Sequence, residues 1–469
     1  MGKVQLNKLS LFFWLFIVWI ICSFFLCSQK DFGGKTFLLL LASLCYLIGF
    51  SSIRKLENRN KEFHGPAYYL FFIVCLVKYF VMPLSLCVSK KFLTIGPPTT
   101  DSSYYTAILI TVYELFCLIL LRVLFLNNHI SKKKIYFRSG EIKSNGNRII
   151  LMFFGVTLIG IILSLIPGFK IIPENLFILD ENFEGNSQVE NYSVVVVWWK
   201  YVFFISTFSL LYYLFKKHSN KLFYYLSVFF ILLFLGLITG TSRWGILFFL
   251  LIALFLSYKM YGSRVKKVIL PISLVSFATI ISITLYKFSW AFKEVDNLYI
   301  GSLQIMMGQL QSYFSGPNLI AQALEMNSNP LFMDKITYST FVNDFLGSLP
   351  SVAKHIDQTD RINYYFNRYL FDWYSDKTSQ IIPMVAVGAI YFNIFFSPIF
   401  TIFFTWIGFM LERKALVDNR IYCKFLYLYA AFWCVLAICF CPQIIWGNLV
   451  GFVIPIYIIY KFLVIKISK

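Results

Sequence analysis

The feature that constrains this chain most is a series of apolar runs of about twenty residues, each long enough to cross a ~30 Å hydrocarbon core as a helix rising ~1.5 Å per residue. They fall at 9–27, 36–53, 67–88, 104–127, 149–168, 194–215, 222–240, 244–261, 268–289, 391–411, 421–440 and 444–464. Inside a bilayer every backbone N–H and C=O needs an internal partner, so continuous apolar runs select α-helices. A membrane β-barrel would alternate apolar and polar residues, and is excluded. Hydrophobic residues make up 59% of the chain and charged ones 14%, against nearly half and about a quarter in soluble domains. Aromatic residues reach 20%, which suits helices with acyl chains along their sides and headgroups at their ends. The expected fold is an all-α polytopic membrane protein with about twelve transmembrane helices.

The links between runs alternate in charge. Arg54, Lys55, Arg59 and Lys61 follow the second run, and Lys132, Lys133, Lys134, Arg138, Lys143 and Arg148 follow the fourth. Lys216, Lys217 and Lys221 follow the sixth, Arg264, Lys266 and Lys267 the eighth, and Arg413, Lys414 and Arg420 the tenth. All are even-numbered links, so the positive-inside rule makes them cytoplasmic, together with both termini. The odd links are poorer in Lys and Arg, and 169–193 is acidic. The net charge of +20 is therefore read as topological anchoring, and no nucleic-acid partner is expected. The apolar run 9–27 follows a basic start and precedes no small-residue cleavage site, so it reads as the first span. Ten cysteines are scattered through apolar runs without metal-ligand or redox spacing, so no disulfide framework is expected.

One link is out of scale. Residues 290–377 form an outer loop of about ninety residues, too long to lack structure of its own. Leu303, Met306, Met307, Leu310 and Phe314 repeat at helical spacing, as do Ile362, Tyr365, Phe366 and Tyr369. These helices are expected on the membrane surface or over a cavity. The segment 379–390 is apolar but too short to span, so a re-entrant or interfacial course is expected. The chain divides into 1–289 (nine spans), 290–377 (the outer loop) and 378–469 (the short segment and three spans). No internal repeat is visible, which argues against the two-half plan of many carriers.

Candidates for chemistry lie on the outer side. His355 is the one external histidine among four, hence the one imidazole available there as a proton acceptor; the bland alternative is an exposed loop histidine. Arg361 and Arg368 stand seven positions apart beside an apolar, membrane-facing helix side, where guanidiniums would suit a diphosphate. The alternative is ordinary amphipathicity with ion pairs to Asp357, Asp360 or Asp372. Arg243 lies in the short link LITGTSRWG, with Gly240 for close approach and Thr241 and Ser242 as hydroxyl donors; the alternative is a snorkelling arginine. Lys78 and Glu114 lie at middling depth and are expected to pair, Arg122 can snorkel inward, and Lys200 and Lys287 lie toward the outer ends. No nucleotide-binding, zinc-protease or nucleophile-elbow motif occurs.

The chain resembles the Wzy-type polymerases of bacterial O-antigen and capsular repeat units. The resemblance rests on the span layout with one large late loop, the TGTSRWG link, SYFSGPNLIAQAL at 312–324, and SQIIPMVAVGAIYFN at 379–393 followed by a span bearing Gly408. It implies a metal-independent glycosyltransferase of GT-C-like helical fold in the bacterial cytoplasmic (inner) membrane, needing no cofactor. Its substrates would be undecaprenyl-diphosphate-linked oligosaccharides, and its partners membrane lipid and a chain-length regulator protein. By position type, Arg243, Arg361 and Arg368 would hold the donor diphosphate, His355 would be the general base and Asp360 its substitute. Ser242, Trp244, Lys287 and Tyr365 complete the candidate substrate contacts, with Tyr364 and Trp373 as further stacking residues. The competing readings are a flippase for the same lipid-linked units, an O-antigen ligase, or an acyltransferase.

Overall fold

The computed structural model describes residues 3–28, 33–60, 65–130, 146–166, 192–238, 243–262, 272–274, 278, 298–349, 352–371 and 380–466. Among them every regular element is helical. The helices are α1 (Lys3–Cys27), α2 (Lys35–Asn60), α3 (Pro66–Ser89), α4 (Asp101–Ile130), α5 (Gly146–Ser164), α6 (Tyr192–His218), α7 (Lys221–Ile238) and α8 (Arg243–Tyr261). After them come α9 (Leu298–Tyr313), α10 (Pro317–Ser328), α11 (Pro330–Met333), α12 (Tyr338–Leu346) and α13 (Ile362–Phe371). The chain closes with α14 (Met384–Phe392), α15 (Ile399–Val417), α16 (Ile421–Val435) and α17 over 442–466. The expected span 268–289 and the acidic link 169–193 lie almost wholly outside the described residues.

Seven of these helices are long and apolar enough to cross a membrane by length and composition, and four shorter ones are apolar. Large side chains such as Phe24 (80% exposed) and Phe229 (63% exposed) point away from the protein. Exposed apolar surface on this scale is lipid-facing surface, so the chain is a multi-pass membrane protein.

Two proline positions shape the spans. Pro83 has no N–H to offer the carbonyl four residues back, and its ring crowds that carbonyl. The helix widens there into a π turn over Val77–Val81, which carries Lys78. The same happens before Pro455, with a π turn over Leu449–Val453. The carbonyl freed there, Gly451 O, accepts from Trp198 Nε1 at 2.9 Å. Near the α16–α17 connection the helix narrows into a 3-10 turn (Leu436–Ile438), and the chain reverses over 439–441 before Pro442 starts α17. Gly408 lies where α15 meets α16; a Cβ there would sit 2.9 Å from Val435 and 3.1 Å from Cys434. Its place in the sequence is accounted for by close helix packing.

The late segment folds as a helical cap. α10 packs along α4 and against α13 and α14, and α12 packs on the start of α17. The apolar faces read from the sequence are here, with one correction. Ile362 and Phe366 are fully buried, and Tyr365 and Tyr369 pack edge-on against Phe332. This face therefore serves the interior of the cap, together with Leu319, Ile320 and Val385, and is not turned to lipid. On α9, Met307 is buried and Met306 is exposed. Residues 384–389 of α14 are buried as well. Gly388 meets the 397 turn so closely that a Cβ would lie 2.2 Å from Ser397 O.

Candidate functional site

The cap is fastened to the spans by polar side chains, among them Glu325 Oε1, which accepts from Thr100 N at 2.7 Å and Thr100 Oγ1 at 2.8 Å. Gln322 Nε2 donates to Ile95 O at 2.9 Å and to Pro97 O at 3.0 Å. Asn318 Nδ2 donates to Thr94 Oγ1 at 2.7 Å, and Gln311 Nε2 to Phe92 O at 3.1 Å. All three amide side chains are buried. The extended segment 90–100 between α3 and α4 does not satisfy its own carbonyls at 92, 95 and 97, and Gln311 and Gln322 do it instead. Gly96, at φ +99, makes the bend, with Gln322 Nε2 3.0 Å from where a Cβ would stand. The SYFSGPNLIAQAL motif is thus the clamp that seats the cap. Its Ser315 also donates to Cys439 O at 3.1 Å, tying the cap to the buried turn between α16 and α17. Asparagines of α13 do similar work on the approach to α14. Asn367 binds both backbone groups of Gln380, and Asn363 Oδ1 accepts from Ile382 N at 2.9 Å.

At the centre of the cap lies Asp344, fully buried on α12. Tyr391 Oη donates to its Oδ2 at 2.6 Å, and Ile362 N to its Oδ1 at 3.1 Å. Arg361 Nε lies 3.8 Å from Oδ1, an ion pair without a hydrogen bond. Gln443 of α17 lies beside the same carboxylate, its amide making no hydrogen bond of good geometry. Burial pushes the Asp344 carboxyl up to about 6, against the opposite pull of its hydrogen bonds and of Arg361. No periodicity or motif marks Asp344; only the meeting of α12, α13, α14 and α17 does.

The residues expected at the site fare unequally. Asp360 accepts four hydrogen bonds, from Thr340, Ser339, Asn343 and Tyr365, at 2.6–3.1 Å. It joins α12 to the start of α13 and has little accepting capacity left for a base. Arg361 precedes α13 and turns to α12, donating to Gln358 Oε1 at 2.7 Å and Ser348 Oγ at 3.3 Å. Arg368 instead lies over the Tyr364 ring at 4.9 Å and donates to its hydroxyl. The two arginines therefore face different surroundings and do not act as one pair. The hydroxyl of Tyr365 is pushed up to about 12 by burial and by Asp360. His355 is exposed on a 3-10 turn, Ala353–His355. Trp244 packs edge-on against Phe440 at 5.8 Å, which brings the start of α8, and the backbone of Arg243, to the turn that Ser315 also touches. The side chain of Arg243, and Ser242, Lys287 and Trp373, lie outside the described residues.

Two ion pairs lie buried within the described spans. Lys78 Nζ lies 2.8 Å from Glu114 Oε2 and donates to Ile438 O at 2.6 Å. Tyr79 Oη and Thr401 Oγ1 donate to the two Glu114 oxygens at 2.8 Å each. This is the pair expected from the sequence. Arg122 is no snorkelling residue: it is 3% exposed and donates Nε and Nη2 to Glu57 Oε1 at 3.1 and 3.0 Å. Its guanidinium lies over the Tyr68 ring at 4.5 Å.

An open cleft of about 710 Å³ runs along one seam between cap and spans. Ser102, Ser103 and Thr106 of α4 form one wall, Leu324, Asn327 and Ser328 of α10 another. Ala389, Ile390 and the stretch Asn393–Phe395 close it. None of the catalytic or binding candidates named from the sequence lines it, though Leu324, Ala389, Ile390 and Asn393 belong to the motifs at 312–324 and 379–393. The chain matches no protein-family model, no curated protein and no solved structure.

Proposed function

We propose that the chain is a membrane glycosyltransferase that joins undecaprenyl-diphosphate-linked oligosaccharides into O-antigen or capsular polysaccharide on the outer face of a bacterial cytoplasmic membrane. About twelve spans and cytoplasmic termini go with this reading. The observation that carries it is the cap seated over span ends that the charge pattern assigns to the outer side, with an open cleft on the seam. A reaction on lipid-borne sugars needs such a chamber at headgroup level. Trp244 at the start of α8 and Ser315 of the cap, far apart in sequence, approach the same buried turn at 439–441, which supports one shared site.

In the reaction an acceptor hydroxyl oxygen attacks the anomeric carbon of the donor's reducing-end sugar. The bond from that carbon to the diphosphate oxygen breaks, the hydroxyl proton passes to a base, and the lipid diphosphate departs. The protein's work is to stabilise the leaving charge and hold the acceptor in line. Arg243 and Arg368 are assigned to the diphosphate. Arg361, engaged with α12, is assigned to positioning. His355 remains the candidate base, since Asp360 is committed to four donors.

The test is chain growth in vesicles holding the protein and lipid-linked repeat units. Arg243→Ala, Arg368→Ala and His355→Ala should each shorten or abolish the ladder of products; full-length ladders from all three would remove the assignment. A flippase has one observation in its favour, the intramembrane Lys78–Glu114 pair beside an interrupted helix. A deletion strain separates the two readings. Single repeat units at the cell surface indicate a polymerase, and units retained inside indicate a flippase.

A further inference from the structure

The geometry points to the cleft between α4, α10 and the 393–395 turn as the subsite for neutral sugar residues of the acceptor, an assignment that rests on the glycosyltransferase reading above. Its lining has no Lys, Arg, His, Asp or Glu. A diphosphate needs cationic partners, and the cation near this wall, Lys35, is committed to Asp101 at 2.6 Å. The donor's reacting sugar is attached directly to its diphosphate, so its subsite must be cationic. The attacking sugar of the acceptor stands away from its own diphosphate and has no such need.

The lining offers what a pyranose ring presents: hydroxyls around its edge and C–H groups on its face. Among the described residues, the Ser102 hydroxyl and the Asn327 carboxamide have no hydrogen-bond partner, and both line the cleft. Asn393 sits at φ +85, a conformation an L-residue holds only under constraint. The constraint is visible: its Oδ1 accepts from Phe395 N at 2.9 Å and Phe396 N at 3.4 Å. This leaves its NH2 donors for a ligand. Phe395 is 70% exposed, while its carbonyl is held by Tyr113 Oη at 3.0 Å. An exposed ring on an anchored backbone gives a sugar face a place to stack. A volume of about 710 Å³ is in the range that takes a ligand of a few rings. Ile394 and Phe396, half exposed beside the cleft, continue it into apolar surface, as a lipid-borne ligand requires.

The test uses the full chain in nanodiscs and two probes: the neutral oligosaccharide released from the lipid-linked repeat unit, and undecaprenyl diphosphate without sugar. The variants are the double change Ser102→Ala with Asn327→Ala, and Asn393→Asp, which keeps the oxygen that accepts from Phe395 N and Phe396 N and removes the NH2 donors. Each should weaken oligosaccharide binding about tenfold or more, raise the acceptor KM in step, and leave undecaprenyl diphosphate binding and melting temperature unchanged. Wild-type oligosaccharide affinity in both variants overturns the assignment, and so does diphosphate binding that falls with them. If the wild type extends no chains yet binds the oligosaccharide through Ser102 and Asn327, the subsite stands and the glycosyltransferase reading falls.

Discussion

Glu114 in the spans and Asp344 in the cap are both fully buried carboxylates, yet they are stabilised differently. Glu114 has a lysine ammonium at 2.8 Å and two hydroxyl donors. Asp344 has a guanidinium at 3.8 Å, a tyrosine hydroxyl and one backbone N–H. A charge surrounded by hydrocarbon must be matched by a full opposite charge or be neutralised. In the cap, neutral donors carry more of the load and the carboxyl rises to about 6 instead. The spans thus hold a close ion pair, and the cap holds a carboxyl that burial pushes up.

The largest effect should come from breaking the pair in the spans. Glu114→Ala leaves Lys78 buried and uncompensated, a change that costs about 3–5 kcal/mol in buried pairs. The expected outcome is loss of monodisperse protein on size-exclusion chromatography in detergent. The double variant Lys78→Met with Glu114→Met should recover much of the loss; failure to recover would mean that the pair does more than neutralise itself.

The Asp344 carboxyl sharpens the other side of the contrast. Its folded value of about 6 stands above the ordinary 3.8, so the folded state keeps a proton that the unfolded chain gives up between those values. Stability from this group is fully present below pH ~4 and is lost as pH rises to about 6, by about 3 kcal/mol in all. Asp344→Asn removes the titration while keeping an acceptor for Ile362 N. Melting temperatures from pH 4 to 7 should fall with pH in the wild type and be flatter in the variant. Equal slopes would contradict the raised value.

Smaller effects test the seam itself. Gln322→Ala strips donors from two carbonyls of the 90–100 segment, at a cost of about 1–3 kcal/mol. Limited proteolysis should then cut within 90–100 sooner than in the wild type. Smallest of all, His355→Ala should change the melting temperature little, within about 0.5 kcal/mol, because the side chain is exposed. Lost chain growth in that variant would then be chemical and not structural.

The membrane class, most helix positions and the Lys78–Glu114 pair were legible in the sequence, because run length and lone charges in apolar runs are local signals. The helical spacing in 298–314 and 362–371 was legible too, but not what those faces meet. Pattern reading placed Ile362 and Phe366 against lipid, and they lie inside the cap. It treated Asp360 as free to accept a proton, and four donors from two helices of the cap, α12 and α13, occupy it.

By itself the sequence determined that the chain is a bundle of lipid-facing helices with an amphipathic helical segment late in its length, since apolar length and period follow from neighbouring residues. Only the tertiary structure decided where Asp344 is buried, how the 312–324 motif clamps segment 90–100, and where the uncharged cleft opens. Each depends on residues brought together from distant parts of the chain, as Gln322 and Ile95 are, and no local pattern encodes such a meeting.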